Sequence, residues 1–559
     1  MPYLRAMVAC AGLLIGLTAV AADPGDATCP GPTPSGNERW SGETQWLSYE
    51  HAGMRYGAIH IQIDEVYDLA QPGEDVWYTR LADTLRIPTR QRVIRQLLLI
   101  QTDQPVQALQ VYEAIRRLRQ QLFLRDADIR PDGCAHGVVN VWVDARDAWT
   151  LKLDVEFARA GNANQFRFYL QDADFLGSGQ LLSIGHEKTL ERSENVLEYS
   201  SPSLAGSDGS LSANYAVLSD GHSESLDIAR PFLLDTTPWA ADVSVLDQSL
   251  HLNYYNEGAQ AWYLPQSQQQ LTASWQGLLD ISGDTVLRAG LGVNDAKYSY
   301  AAPVPVTPVL LPPPGVEPRT LVGIGPIFSL HQDRYATFTN LQYVGRPEDY
   351  NLGWDITGRV FYDSKAFGAT ANGPDVSLTA SDGFELAPNW LVLADGSAFA
   401  RRDDGTWNNV GTTAEATIYG QPWRWQTLVF HADYASLLRP DPENRLYIGG
   451  FQALRGYPNF YATGSQRMRV TFEDRVVTPM VLFDTFQVGF VAFSDSARID
   501  RYAGQGWSPW YSSAGVGLRI GNLRGSFDRV LYFTVAEPLR TDPGVRSGVQ
   551  FVVGDVLTF

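Results

Sequence analysis

A chain of 559 residues and 61.8 kDa is too long for one ordinary globular core and long enough for a large unit with an accessory domain. Charged residues make up only 19% against 12% aromatics and 50 Gly, and no apolar run of about 20 residues follows the first 22 positions. That excludes a bundle of membrane helices and leaves open a transmembrane β-barrel, whose alternating strands escape a hydropathy average. The formal net charge of −19 repels phosphate backbones, so nucleic acid is not an expected partner.

Met1–Ala22 reads as a secretory signal, with Arg5 as its positive region, an apolar stretch over Val8–Val20 and small residues Ala19, Ala21 and Ala22 at the cleavage site. Asp23–Tyr56, rich in Pro, Gly, Ser and Thr, is expected to be a flexible leader. Removing the signal also removes Cys10 and leaves Cys29 and Cys134, which in an oxidising compartment either form one disulfide or stay unpaired. Two lone cysteines without clustered His do not make a tetrahedral metal set, so neither metal nor cofactor is expected.

From Gly57 the pattern changes. Ile59, Ile61 and Ile63 mark a half-buried strand over Ala58–Val66. Thr89–Ile100 reads as a helix with Thr89 as its N-cap, and Pro105–Leu122 as a second helix. Two strands follow at Leu124–Arg130 and Val138–Ala145, with the turn placed at Pro131-Asp132-Gly133. The order β-α-α-β-β describes a compact module over residues 57–149.

At Thr150 strict alternation begins: Leu151, Leu153, Val155 and Phe157 oppose Lys152, Asp154 and Glu156. The same period returns at Ala514–Ile520, and at Met468, Val470 and Phe472 opposite Arg467, Arg469, Thr471, Glu473 and Arg475. A row with so many charges suits a hydrated lumen better than a dry core. About 410 residues with spanning strands of about 9–11 residues and longer loops outside suggest about 16 strands. Pro-rich Ala301–Pro318 is a connection, since proline denies ladder donors. The last strand is expected over Ser547–Phe559, with Val549, Phe551, Val553, Leu557 and terminal Phe559 on one face.

Tyr447–Phe460, "YIGGFQALRGYPNF", holds the most specific string, Leu454-Arg455-Gly456-Tyr457. It resembles the signature of the long sixth extracellular loop in the BamA/TamA-like bacterial surface-antigen superfamily. Residues 86–100, 112–129 and 138–151 resemble that family's POTRA domain. "DFLGSGQLLSIGHE" (174–187), "ARPFLL" (229–234), "GRPEDYNLG" (345–353) and "SAGVGLRI" (513–520) follow in the family's order, and a terminal Phe559 resembles the recognition signal of outer-membrane barrels. The resemblance implies that Arg455 folds back into the barrel against Glu473 and Asp495. Strand parity agrees, since both acids fall on inward rows. The other reading of a lone Arg-Gly-Tyr is an exposed loop tip.

The fold that follows is mainly β: a transmembrane antiparallel barrel over 150–559, preceded by one small α/β POTRA domain in the periplasm. The implied function is insertion or translocation of polypeptides at the bacterial outer membrane. Partners would be outer-membrane lipid and a client polypeptide, or lipid, taken up through the POTRA domain. The alternatives are a dedicated two-partner-type exporter, a lipid transporter or a passive porin. The family's general assembly factors carry several POTRA domains, and only one is found here. No G-x-S-x-G or H-E-x-x-H string occurs, "HEKTL" (186–190) lacks a second His, and no enzyme is expected.

Overall fold

The computed structural model describes residues 42–66, 87–148, 150–160, 163–307, 316–345, 347–450, 454–483, 486–501, 506–523, 530–540 and 550–554. The signal Met1–Ala22, most of the leader, Cys29 and Phe559 lie outside them. Contacts divide the chain into two compact units, the smaller built from the described residues 42–62 with 99–115 and 128–144.

The N-terminal elements are α1 (Glu43–His51), β1 (Arg55–Asp64), α2 (Gln91–Leu97), α3 (Ala108–Arg119), β2 (Leu124–Ala135) and β3 (Val138–Asp147). The strands form one sheet in the order β1-β3-β2. β3 alternates cleanly, burying Val139, Val141 and Val143 while their neighbours stay half-exposed. α1 corrects the expectation of a flexible leader up to Tyr56. Its Trp46 and Tyr49 are buried, and the Trp46 ring centroid stands 5.9 Å from Tyr49 and 6.2 Å from Tyr56. Three aromatics bury enough apolar area to hold nine helical residues in a polar segment.

Two local expectations also change. The β2–β3 turn falls at His136-Gly137, not at Pro131–Gly133, because both residues take positive φ (52° and 77°), the geometry of the two-residue turn whose twist matches a hairpin. Thr89 does not cap α2. Its hydroxyl donates to Asp174 Oδ2 at 2.8 Å and its N–H to Asp147 Oδ2 at 3.1 Å, while Arg90 takes the N-cap position.

The larger unit is an antiparallel sheet that returns on itself as a closed ring of twenty-three strands. Three of these are pieces of two or three residues, Val304–Pro305, Leu446–Ile448 and Gly506–Trp507. The other twenty among the described residues pair in sequence order, against the expectation of about 16. The excess arises because many connections are tight turns. Glu257-Gly258 and Asp404-Gly405 join strands through two residues of positive φ, so fewer residues go into loops than a barrel with long outer loops would spend.

Side chains alternate as a lipid-facing wall requires. Leu153 and Val155 are 62% and 57% exposed, as are Phe490, Val516 and Phe551 to similar degrees, while Ser513 and Arg519 on the opposite face are fully buried. Strand length varies around the ring. The first six strands, from Leu151–Ala160 to Gly221–Arg230, have eight to ten residues, whereas Ala259–Ser282 has 24 and Ala462–Leu482 has 21. Among the described residues the ring closes through two pairs, Val552 with Ala160 and Val553 with Arg159. The neighbouring pair of strands, Leu151–Ala160 with Ala163–Asp172, is matched along all ten residues.

Candidate functional site

The site is built on the inner face of the strands Ala462–Leu482, Phe486–Arg501, Tyr511–Asn522 and Val530–Pro538. Register places Thr471 opposite Asp495, and Phe493 opposite Glu473. Glu473 and Asp495 are therefore diagonal neighbours on one face, close enough for a single guanidinium to reach both. Each is essentially inaccessible to solvent.

Arg455 comes to them from the connection between Gln426–Leu438 and Ala462–Leu482. Its Nη1 lies 2.8 Å from Glu473 Oε1. Nη2 and Nε donate to the two oxygens of Asp495 at 2.7 Å each, and the Arg455 backbone N–H adds a bond of 3.1 Å to Asp495 Oδ2. The Thr471 hydroxyl donates to Asp495 Oδ1 at 3.1 Å, and Phe493 presents its ring 3.4 Å from the guanidinium carbon. The two-pronged Asp495 bond and the cation–π contact offset the desolvation that isolates the arginine.

The neighbouring motif residues explain how the chain turns into the lumen. Gly456 adopts φ +90°, where an added Cβ would also stand 3.3 Å from Ala536 Cβ. Leu454 and Tyr457 are fully buried in a cluster with Ala497, Ile499, Tyr461 and Tyr511. The Tyr457 hydroxyl donates to Ser512 O at 3.1 Å and to Arg540 O. The structure thus brings Leu454, Arg455, Gly456, Tyr457, Glu473 and Asp495 together inside the barrel; none of the four motif residues forms an exposed tip. Cys134 is disulfide-bonded, its candidate partner Cys29 lying outside the described residues, and Phe559 lies outside them too.

Sequence reasoning missed three parts of the site. Arg475 was expected to face inward, but not to donate from Nε to Glu473 Oε2 at 2.7 Å, so that Glu473 joins two arginines. Arg519 donates to Tyr532 Oη at 3.1 Å and to Gln342 O at 2.6 Å. The third part is a second clasp on the Arg455 connection: Asp441 takes a two-pronged bond from Arg401 at 2.6 and 2.9 Å, and Glu443 pairs with Arg319 at 2.9 Å. The acids of "RPDPENR" (439–445) were the available signal, but their partners sit more than 35 residues away in sequence.

Other parts of the inner face are polar. Asp433 pairs with Arg467 at 3.2 Å and also with Arg469. A cavity of about 370 Å³ is lined by Asp355, Asp395, Glu415, Asp433, Ser381 and Arg467, among others. Among the described residues no three His, Cys, Asp or Glu side chains are grouped to hold a metal.

The sequence matches no protein-family model and no curated protein. Solved structures similar to it include BamA from Haemophilus ducreyi lacking POTRA domains 1–3, at 13% identity and a TM-score of 0.40, covering 89% of this chain and 84% of that one. CdiB from Escherichia coli is similar at 13% identity and a TM-score of 0.43, covering 89% and 76%. CdiB from Acinetobacter baumannii is similar at 11% identity and a TM-score of 0.40, covering 90% and 74%.

Proposed function

We propose that this protein is an outer-membrane β-barrel of the BamA/TamA-like type that inserts or translocates polypeptides, with residues 57–149 acting as a periplasmic POTRA domain. The observation that carries the reading is the clasp of Arg455 by Glu473 and Asp495, formed by a motif that resembles the family's signature. The clasp holds a connecting segment inside the lumen. The apolar outer wall supports a lipid environment. A client strand would be received at the edge of the periplasmic sheet and passed to the seam between Leu151–Ala160 and Gln550–Gly554, whose strand edges would template pairing once parted. No enzymatic step or cofactor enters this scheme.

A dedicated exporter of one client is the second reading, kept open by the one α/β module among the described residues. Depleting the protein and quantifying the outer-membrane and secreted proteomes tests both. Loss of many barrel proteins supports a general insertase, and loss of one protein supports an exporter. An unchanged proteome would overturn the polypeptide reading in favour of lipid or of a passive pore.

A further inference from the structure

The clasp is not the only segment folded into the lumen. Between the strands Arg319–Gln332 and Asp355–Asp363, Tyr335–Thr339 and Pro347–Asn351 form a two-stranded hairpin that, among the described residues, pairs with no strand of the ring. It arises at the end of the barrel where Leu151 begins, whereas the Arg455 segment arises at the other end, as the alternation of strand directions requires.

The hairpin tip is preassembled. Buried Glu348 accepts the N–H groups of Leu341, Gln342 and Tyr343 at 2.8, 2.9 and 3.2 Å, and the Tyr350 hydroxyl at 2.6 Å. With its donors satisfied from within, the tip turns its carbonyls outward to the barrel. Leu341 O accepts from Arg475 Nη1 at 2.5 Å, Gln342 O from Arg519 Nη2 at 2.6 Å, and Asn340 O from Thr427 Oγ1 at 2.8 Å. Leu341 and Val344 are both buried, Leu341 beside Tyr419 and Val429, and Val344 in a cluster with Phe493 and Tyr532.

Two routes therefore join the hairpin to the clasp. One is ionic, from Leu341 O through Arg475 to Glu473 and Arg455. The other is apolar, from Val344 through Phe493, whose ring faces the Arg455 guanidinium. A free two-stranded hairpin is marginal in water, so this one depends on its seat. Its charged contacts are also unlike those of the clasp: arginine meets neutral carbonyls, where Arg455 meets carboxylates. These bonds are assisted by one charge, whereas those of the clasp are assisted by two and have Coulomb attraction besides.

We propose that this hairpin is a second lumenal plug, more easily displaced than the Arg455 segment, and that its seating supports the clasp, so that unseating it loosens the Arg455 segment at the opposite end. This goes beyond the proposed function, since it holds for any client.

The test uses the full chain folded in lipid, with Leu454→Cys as reporter of the clasp and a membrane-impermeant maleimide added at the Arg455-segment side. Val344→Asp puts a charge in the apolar seat and unseats the hairpin; Glu348→Gln loosens its tip more gently. Heat-modifiable migration on gels verifies that each barrel is folded. Coupling between two sites commonly amounts to about 5- to 150-fold, so labelling of the reporter thiol should rise at least about fivefold in a folded Val344→Asp barrel and single-channel conductance should rise with it. If Val344→Asp fails to fold, Glu348→Gln decides by the same two readings. Labelling unchanged in a folded variant overturns the coupling, and conductance unchanged overturns the plug.

Discussion

Glu473 is a single carboxylate serving two arginines, Arg455 at 2.8 Å and Arg475 at 2.7 Å, with all three side chains buried. Removing one charge from a buried pair leaves its partners desolvated and uncompensated, a loss of about 3–5 kcal/mol. Glu473→Gln should lower the denaturant midpoint of the folded barrel by a corresponding amount, read by heat-modifiable migration across a urea series; an unchanged midpoint would show that the pairing is not needed for stability. Arg519 gives the contrast. Among the described residues its Nη1 has no hydrogen-bond partner, and its other hydrogen bonds are to Tyr532 and a backbone carbonyl. Arg519→Met relieves a desolvated charge but takes the donor from Gln342 O, and should cost less than Glu473→Gln, about 1–3 kcal/mol in the same assay. The different legibility of these residues in the sequence has a physical origin. Strand parity aims Glu473 and Asp495 at one face, and parity is local. Arg475 shares that parity, but the carbonyl it caps belongs to Leu341, 134 positions away, and a backbone acceptor carries no sequence signature.

At the scale of elements, period-two alternation makes strands such as Leu151–Ala160 and Tyr511–Asn522 readable, because one face of the wall is apolar and outward and the other faces the lumen. Turn placement was harder. Pro131-Asp132-Gly133 carries the stronger turn composition, yet the chain reverses at His136-Gly137, where register with β3 puts the positive-φ pair. Gly137 tests this cleanly, since an added Cβ meets nothing within 4 Å and only the backbone conformation is taxed. Gly137→Ala should destabilise the β2–β3 hairpin by about 1–2 kcal/mol, seen in the full chain as faster hydrogen exchange at the amides of Val139 and Val141. The inward hairpin was the element least visible beforehand. "GRPEDYNLG" carries the family resemblance, but a short strand pair inside a lumen has no alternation that differs from that of the wall.

For the whole molecule, the number of strands sets the width of the barrel, and width decides what must fill it. Eight strands are filled by their own side chains, and barrels of sixteen or more leave a channel or need a plug. A ring of twenty strands is in the second regime, which is why the Arg455 segment and the second hairpin both find room inside. The same ring is unevenly held. Its first six strands are short, and its closure among the described residues consists of the pairs Val552–Ala160 and Val553–Arg159, against ten between the first two strands. The junction of first and last strands is where the ring closes, and a client strand that enters laterally would part the barrel there. Facing residues in adjacent antiparallel strands lie within disulfide reach. Arg159→Cys with Val553→Cys should therefore cross-link under oxidation and stop client assembly or export, with recovery on reduction. Val155→Cys with Phe168→Cys, a facing pair on the fully matched neighbours, should cross-link equally well without that loss. Full function in the oxidised seam variant would locate client passage elsewhere, through the lumen and past its two plugs.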